Sequence, residues 1–487
     1  MQELNGLPKI PPPWSWSTIN DVCLKVQDGT HFSPQNQLAQ GAYKYITAKN
    51  VRPSGLDLSN VSYLAEDEHR VIYKRCDPKK GDVLLVKDGV NTGDAAVNTL
   101  DEEFSLLSSV CLLRPRPALL CSQFLRYYLL SPVGYRMLTG QMTGTAIKRI
   151  ILGRIKGSPV PIAPLDEQRD IVAEIERQFS RLDEVVANLK RVKANLKRYK
   201  AAVLKAAVEG KLTEAWRKQH PDVEPASKLL ERILVGTRPM DRRKEVELLD
   251  ASSLEGLPEG WQWVRVGDVG YVQLGRQRAP KYHSGKNMRP YLRVQNVFEA
   301  RIDLSDVMEM DFPQGDYKKF KLESGDILLN EGQSPELLGR PAIYRGELPG
   351  ACFTNTLIRF QPYAPLTSEY PLIVFLAYMR TGRFTREGTI TTNIAHLSSG
   401  RFAKIEFPLP PLEEQQEIVN EVARSLSVIE ELEDSVEANL TRADRLRQSI
   451  LTRAFEGKLI ATKQPQRSDS LGELPLAAEP SSFYGVT

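Results

Sequence analysis

The sequence predicts an α+β fold, with two pseudo-symmetric mixed α/β domains joined by two long helices that form an antiparallel coiled coil. Three observations carry this. The chain repeats itself, each copy ends in a heptad-patterned stretch, and the charges of the two stretches complement each other only in opposite directions.

The repeat is read first. "PIAPLDEQRDIV" at 161–172 returns as "PLPPLEEQQEIV" at 408–419, and Glu209-Gly210-Lys211-Leu212 returns as Glu456-Gly457-Lys458-Leu459. Between 161–212 and 408–459, 18 of 52 positions are identical without a gap, where chance at ordinary composition gives about three. Trp14-Ser15-Trp16 falls on Trp261-Gln262-Trp263 at the same offset, and "LNGLP" resembles "LEGLP" ahead of them. With small shifts "YITAKNV" (45–51) meets "YLRVQNV" (291–297), "GDVLL" (81–85) meets "GDILL" (325–329), and "CLLRPRP" (111–117) meets "TLIRFQP" (356–362).

The order is therefore module, helix, module, helix. Residues 1–160 form a first domain, 161–213 a central spacer helix and 214–260 a polar linker with a short helix at "PASKLLERIL". Residues 261–407 form a second domain, 408–460 a C-terminal spacer helix and 461–487 a flexible tail. The tail has few large apolar residues with which to form a core. Short β-branched runs bounded by Gly, Asp and Asn mark strands in each module, such as Val83 to Val86 and Ile327 to Leu329. A helix is predicted over 122–138 and over 368–384.

In the first spacer Ile175, Leu182, Leu189, Leu196 and Val203 occupy one heptad position, and Ile171, Val185, Val192, Tyr199 and Ala206 the other. The copy has Val422, Ile429, Val436, Ala443 and Ile450, with Ile418, Leu432 and Leu446. The upstream prolines leave a clean helix start, because proline disfavours helix at the preceding residue. By formal count the first helix is −4 over 166–184 and +7 over 185–211, and the second is −8 over 413–437 and +3 over 438–458. Antiparallel pairing sets each acidic start against a basic end, although acids at starts and bases at ends also suit the helix dipole. Asn439 at an apolar position either fixes the register or is a tolerated exposed side chain. A helix of about 45 residues is roughly 65 to 70 Å long, a ruler with a domain at each end.

Composition narrows the function class. The apolar fraction of 41% is ordinary for a globular chain, and 65 basic against 61 acidic residues leave a net charge of +4. Attraction to nucleic acid must then come from local patches. Five cysteines without a C-x-x-C pair or zinc spacing predict reduced thiols and no metal site. No apolar run of about 18 residues and no leader pattern are present, which points to a cytoplasmic protein without a membrane span.

The duplicated "PLDEQ…VLKAAVEGKL" and "PLEEQ…ILTRAFEGKL" strings, the W-x-W pairs and "QDGTHFSP" together resemble the specificity subunits of type I restriction-modification systems, over about residues 13–459. The resemblance implies two target recognition domains, each reading one half of an asymmetric bipartite site on double-stranded DNA. It implies helices that set the gap and dock two DNA methyltransferase subunits, with restriction/translocase subunits as further partners. It also implies a chain without catalytic residues or cofactor, whose partner subunits use S-adenosylmethionine, ATP and Mg.

The residues agree with this. There is no phosphate-binding loop, "YHSGKN" having Pro280 where its leading glycine belongs, and no N-P-P-[FY]. Asp82 with Lys87 superficially suggests a nuclease, but Gly81-Asp82 reads better as a turn before a strand. The alternative function is a protein-interaction scaffold that binds no DNA and assembles through its coiled coil.

If the modules read DNA, polar loop residues that differ between copies are the candidates. Gln27, Asp28, Thr30 and His31 lie in "QDGTH", and Gln273, Arg276, Gln277, Arg278 and Lys281 in "QLGRQRAPK". Arginine can clamp guanine and glutamine adenine, while the arginines can equally meet phosphate. Lys87, Asn91 and Thr92 follow the strand of module 1, as Asn330 and Gln333 follow that of module 2. Asp28, Asp88 and Glu331 either accept from cytosine or cap turns. Lys148 and Arg149 in "TGTAIKRI", with Asn393 and His396 in "TTNIAHLS", form a third pair of loops. Lys44, Lys49 and Arg293 are phosphate candidates.

Overall fold

The computed structural model describes residues 7–32, 34, 37–140, 149–236, 249, 252, 254–391 and 394–460, to which all structural statements refer. The chain forms two compact units, 1–187 with 440–487, and 188–439. Each unit thus combines one module with the start of one long helix and the end of the other, cutting across the linear order of segments.

Module 1 is built on a four-stranded antiparallel sheet in the order Cys23–Asp28, Val110–Pro115, Val83–Val86, Ala95–Val97. Module 2 has the same order with Gly270–Leu274, Leu357–Pro362, Ile327–Asn330 and Pro341–Ile343. The inner strands are apolar on both faces because both faces are covered. Val83 and Leu85 join the cluster against the helices, whereas Leu84 and Val86 join a second cluster. Ile327 and Leu329 part from Leu328 in the same way. A mixed three-stranded sheet closes the second cluster, Ser62–Leu64, Tyr43–Ile46, Phe104–Leu106 in module 1 and Met308–Asp311, Met288–Leu292, Cys352–Phe353 in module 2.

Several framework bonds recur in both modules. Asn50 Oδ1 accepts from Thr47 N at 3.0 Å while its Nδ2 donates to the carbonyls of Asp57 and Asn60. Asn296 repeats this with Arg293 N, Asp303 and Asp306. Ser122 Oγ donates to the carbonyl of Gly81, and Ser368 Oγ to that of Gly325. The helix predicted over 122–138 is broken at Ser131, which precedes Pro132 and caps a second helix, Pro132–Thr139. The one over 368–384 becomes Glu369–Arg380 and Arg383–Glu387, separated by Gly382 in the left-handed region.

The proline runs are short strands. Pro159–Ile162 pairs with Ser15–Thr18, placing Trp16 opposite Pro161, and Glu406–Leu409 pairs with Gln262–Arg265, placing Trp263 opposite Pro408. A two-stranded ribbon leaves room for prolines at its unpaired edge. The motif's glutamine then locks the helix start: buried Gln168 donates to the carbonyls of Leu119 and Ala163 and accepts from Cys121 N at 2.8 Å. Gln415 donates likewise to the carbonyl of Pro410 at 3.0 Å.

The long helices are Leu165–Val208 and Leu412–Phe455. Each stops at the glycine of E-G-K-L, with φ of 67° at Gly210 and 69° at Gly457, and the following lysine N–H bonds back to Ala206 or Arg453. A Cβ on Gly210 would lie 2.5 Å from Pro258, and one on Gly457 2.2 Å from Pro11. Pro11 is therefore the equivalent of Pro258, and the "LNGLP" string is displaced by three residues from "LEGLP".

Antiparallel pairing is evident in each unit. In the first, Ile171 and Ile175 share a core with Ile450, Leu451, Ala454 and Phe455, and Arg447 pairs with Asp183. In the second, Leu204 and Ala207 share a core with Ile418 and Val422, and Lys193 meets Glu437 at 2.6 Å. The heptad expectation needs one correction. On the first line Ile175, Leu196 and Val203 are buried and Leu182 and Leu189 half-buried, and its copy from Val422 to Ile450 is buried. On the other line Ile171 and Ile418 at the helix starts are buried in the module cores, whereas Val185, Val192, Tyr199, Leu432 and Leu446 are exposed, because away from the modules two antiparallel helices cover only one stripe of each other. Asn439 is exposed and bonds back to the Ser435 carbonyl, so it sets no register.

The linker helix Ala226–Gly236 buries Ala226, Leu229 and Ile233 in the core of the second unit. Beside it, fully buried Glu414 accepts from Trp261 Nε1 at 2.7 Å, from Thr213 Oγ1 at 2.6 Å and from Arg217. At the equivalent place in the first unit Glu167 is half-buried, and the buried Trp14 Nε1 has no partner among the described residues.

Candidate nucleic-acid interface

In each module three loops converge on one turn. In module 1 the turn 107–110 accepts from Gly29 N (Val110 O, 3.2 Å) and Lys87 N (Ser109 O, 2.9 Å). Ser109 Oγ accepts from Ala48 N at 3.2 Å, and Ile150 N donates to Lys87 O at 2.8 Å. Module 2 repeats the set on the turn 354–357: Gly275 N to Leu357 O, Glu331 N to Thr356 O, Val294 N to Thr356 Oγ1 and Leu397 N to Glu331 O. The glycine of "QDG" and "QLG" is required here. A Cβ on Gly29 would lie 2.0 Å from Leu106 O, and one on Gly275 2.2 Å from Thr354 O. Segments far apart in sequence thus form one face per module.

Several candidates hold this face together instead of presenting to solvent. Asp28 is 3% exposed and accepts from Arg75 at 3.0 Å and Gln27 Nε2 at 3.2 Å, with His31 Nε2 at 3.2 Å and Lys87 Nζ at 3.6 Å. Lys87, 2% exposed, also meets Asp88 at 3.2 Å, and Asp88 pairs with Arg149 at 3.1 Å. Thr30 and Thr92 are buried, the latter donating to Gly89 O. Arg276 is 6% exposed, paired with Asp316 at 2.9 Å, bonded to Asp311 O and sandwiched between Tyr282 and Phe312. Its role as a base reader is therefore corrected: it pins the loop, and a side chain so enclosed has no free donor edge. Gln273 is buried against Arg359, and Asn330 is fully buried. Lys44 is paired with Glu102, and Arg293 with Asp306 and Gln295.

The remaining candidates are accessible. His31, Lys49, Gln277 and Lys281 are exposed, and Gln27, Asn91, Arg278 and Gln333 half-buried. Arg278 lies over the Tyr291 ring at 5.6 Å. Lys148 and Asn393 lie outside the described residues. In module 2 the second and third loops join in a small sheet, Gly332–Gln333, Ile394–His396, Thr389–Thr391, tied by His396 Nδ1 to Glu331 at 3.3 Å. Exposed Phe32, Val90, Ile390 and Ile394 belong to the same faces and were missed from sequence. An apolar residue inside a Gly/Asn/Asp turn, as in "DGVNTG", was the available signal; such side chains suit a thymine methyl.

The sequence profile of the type I restriction modification DNA specificity domain matches residues 11–198 and 258–438. The chain belongs to this family. Among relatives in the type I restriction-modification specificity family, the chain is 25% identical to the EcoKI specificity subunit of Escherichia coli (strain K12), over 96% of this chain and 94% of that one. It is 24% identical to the StySPI specificity subunit of Salmonella potsdam, over 95% and 92%. A solved chain from work on complex assembly and conformational transition of the type I R-M system shares the fold, with a TM-score of 0.60 at 19% identity, covering 93% of this chain and 100% of that one.

Nothing among the described residues of this specificity-family chain assembles a metal cluster of three or more His, Cys, Asp or Glu. No described helix is long and apolar enough to cross a membrane. The cysteines are free, and burial pushes the thiols of Cys23, Cys76 and Cys352 up to about 12, which keeps them as inert thiols. His69, Ser105 and Glu103 line up, with His69 Nδ1 3.0 Å from Ser105 Oγ and Nε2 3.4 Å from Glu103. Both His69 and Ser105 are fully buried, so no substrate reaches them.

Proposed function

We propose that the chain is the DNA sequence-specificity subunit of a type I restriction-modification complex, each module reading one half of an asymmetric bipartite site. The observation that carries this is the pair of loop faces, which share the bonds that gather the loops on the turns 107–110 and 354–357 and differ in the exposed side chains they carry. A common frame gives a common docking geometry, and different side chains give different half-sites. The chain supplies recognition and assembly, not catalysis. Methyl transfer and translocation fall to partner subunits using S-adenosylmethionine, ATP and Mg.

The uncovered apolar line supports docking of two methyltransferase subunits on the spacer helices. Val185 and Leu446 are exposed in the first unit, and their counterparts Leu432 and Tyr199 in the second. Two matching patches suit two copies of one partner.

The test is selection of duplexes bound by the full chain from a random pool. Two separated sequence blocks with a constant gap are expected, and Arg278→Ala should relax only the block read by module 2. One contiguous block, or relaxation of both, overturns the reading.

A further inference from the structure

Resting on that reading, we infer that the phosphate-backbone grip is lodged unevenly, on a basic patch of module 2 formed by Lys281, Lys286, Arg289, Lys318, Lys319 and Lys321. All six are exposed, and none has an ion pair with a described carboxylate. Lys318 and Lys319 lie on the short helix Gln314–Phe320, with Lys321 just beyond it.

Internal bonds bring this helix to the reading face. Arg359 donates to the carbonyls of Lys319 and Lys321 and to Gln273 Oε1 on the strand leading into "QLGRQR". Arg276 in that loop pairs with Asp316 at the helix start and stacks 3.8 Å from the centre of Tyr282, the residue after Lys281. Arg289 lies 4.9 Å over Tyr317. Two acids beside the patch are engaged within module 2: Asp316, whose side chain stays 41% exposed, is taken by Arg276, and Asp311 Oδ1 accepts from Asn287 N at 2.7 Å. The six exposed cations outnumber the exposed Glu309 and Glu323 beside them and are interleaved with tyrosine, a surface that suits a phosphate backbone.

Among its described residues module 1 has no comparable patch at the equivalent place, where Lys74 stands exposed without an ion pair to a described carboxylate. There the helix is Glu66–Arg75, opening on Glu66, Asp67 and Glu68. Asp77 stands where module 2 has Lys321, and Arg75, in the place of Lys319, is held by Asp28. Lys25, Lys44, Arg70 and Lys80 are each paired, with Asp77, Glu102, Glu103 and Asp101.

The experiment measures binding of the full chain to duplex DNA against salt concentration, for wild type, for Lys318→Gln/Lys319→Gln/Lys321→Gln, and for Lys74→Gln/Lys79→Gln in module 1. Each lost phosphate contact lowers the slope of log K against log salt by about 0.9, so the triple variant should lose roughly 2 to 3 and keep its sequence preference. The module 1 variant should keep the wild-type slope. Arg359 bonds backbone carbonyls, so these substitutions leave it its partners. Should the triple variant nonetheless melt early, the single Lys318→Gln variant should lose about 0.9. An unchanged slope with binding retained, or an equal loss from the module 1 variant, overturns the uneven grip alone. A wild-type chain that binds no duplex overturns the functional reading beneath it.

Discussion

The two modules share a skeleton and differ in how their charges are spent. Module 1 turns much of its charge inward: Asp28, Lys87, Arg75 and Asp88 knit loops 27–31 and 87–93 together, and Lys25, Lys44 and Lys80 are neutralised by neighbouring acids. Module 2 replaces the Asp28–Lys87 pair by Leu274 and Glu331, stabilises its loop through Arg276 between two rings, and leaves a lysine-rich helix unpaired. Loop rigidity can therefore be supplied by ion clusters or by aromatic stacking on one framework. The choice decides which charges remain for a ligand.

The largest expected difference lies at the helix starts. Glu414→Ala strips three donors of their acceptor in a buried site and should destabilise the second unit by about 3 to 5 kcal/mol. Glu167→Ala, at the half-buried counterpart, should change stability by no more than about 0.5 kcal/mol. Chemical denaturation of both variants measures the contrast, and equal losses would erase it.

Next comes the loop itself. Asp28→Ala leaves Lys87 buried with Asp88 as its remaining carboxylate, at a cost of roughly 2 to 3 kcal/mol. Leu274→Ala, its partly exposed counterpart, should cost under about 1 kcal/mol. Amide exchange over 83–97 and over 327–343 localises each effect.

The smallest contrast is in pH response. His69 is buried beneath the Tyr43 ring, 3.9 Å away. Burial holds its pKa below the usual 6.5, against the pull of Glu103 and Glu66 and with that of Arg70. The unfolded chain then takes up the proton first, so the contribution of His69 is whole above pH 6.5 and is lost as pH falls below it. Amide exchange over 43–106 should quicken from pH 7.5 to 5.5, after correction for the intrinsic pH dependence, more than over 288–353, which contains no histidine. A His69→Gln variant should lose that difference, and its persistence would assign the response elsewhere.

Much of this organisation is legible in the chain because it depends on short-range regularities. The "PLDEQ" and "PLEEQ" starts, the E-G-K-L stops and the heptads specify two helices and their caps, and blocks of opposite charge orient the pair. The glycines of "QDG" and "QLG" mark where backbone meets backbone. The candidate residues fared differently. Gln277, Arg278, Lys49 and His31 remain accessible, whereas Asp28, Lys87, Arg276 and Asn330 look equally polar in the sequence and are buried. The lysines of 318–321 went unnoticed because nothing local distinguishes them from an ordinary solvated helix end.

The sequence by itself determined the duplication and the module–helix order and pointed to the antiparallel sense of the helices, since periodicity and charge blocks are properties of contiguous residues. The tertiary structure alone decided which heptad line is covered, which polar side chains are consumed as internal partners and which lysines stand free. Those outcomes depend on what meets what across 50 to 250 residues of chain, as when Arg75 and Lys87 close on Asp28 or Trp261 on Glu414. Burial and pairing are set by that convergence, and no local pattern encodes them.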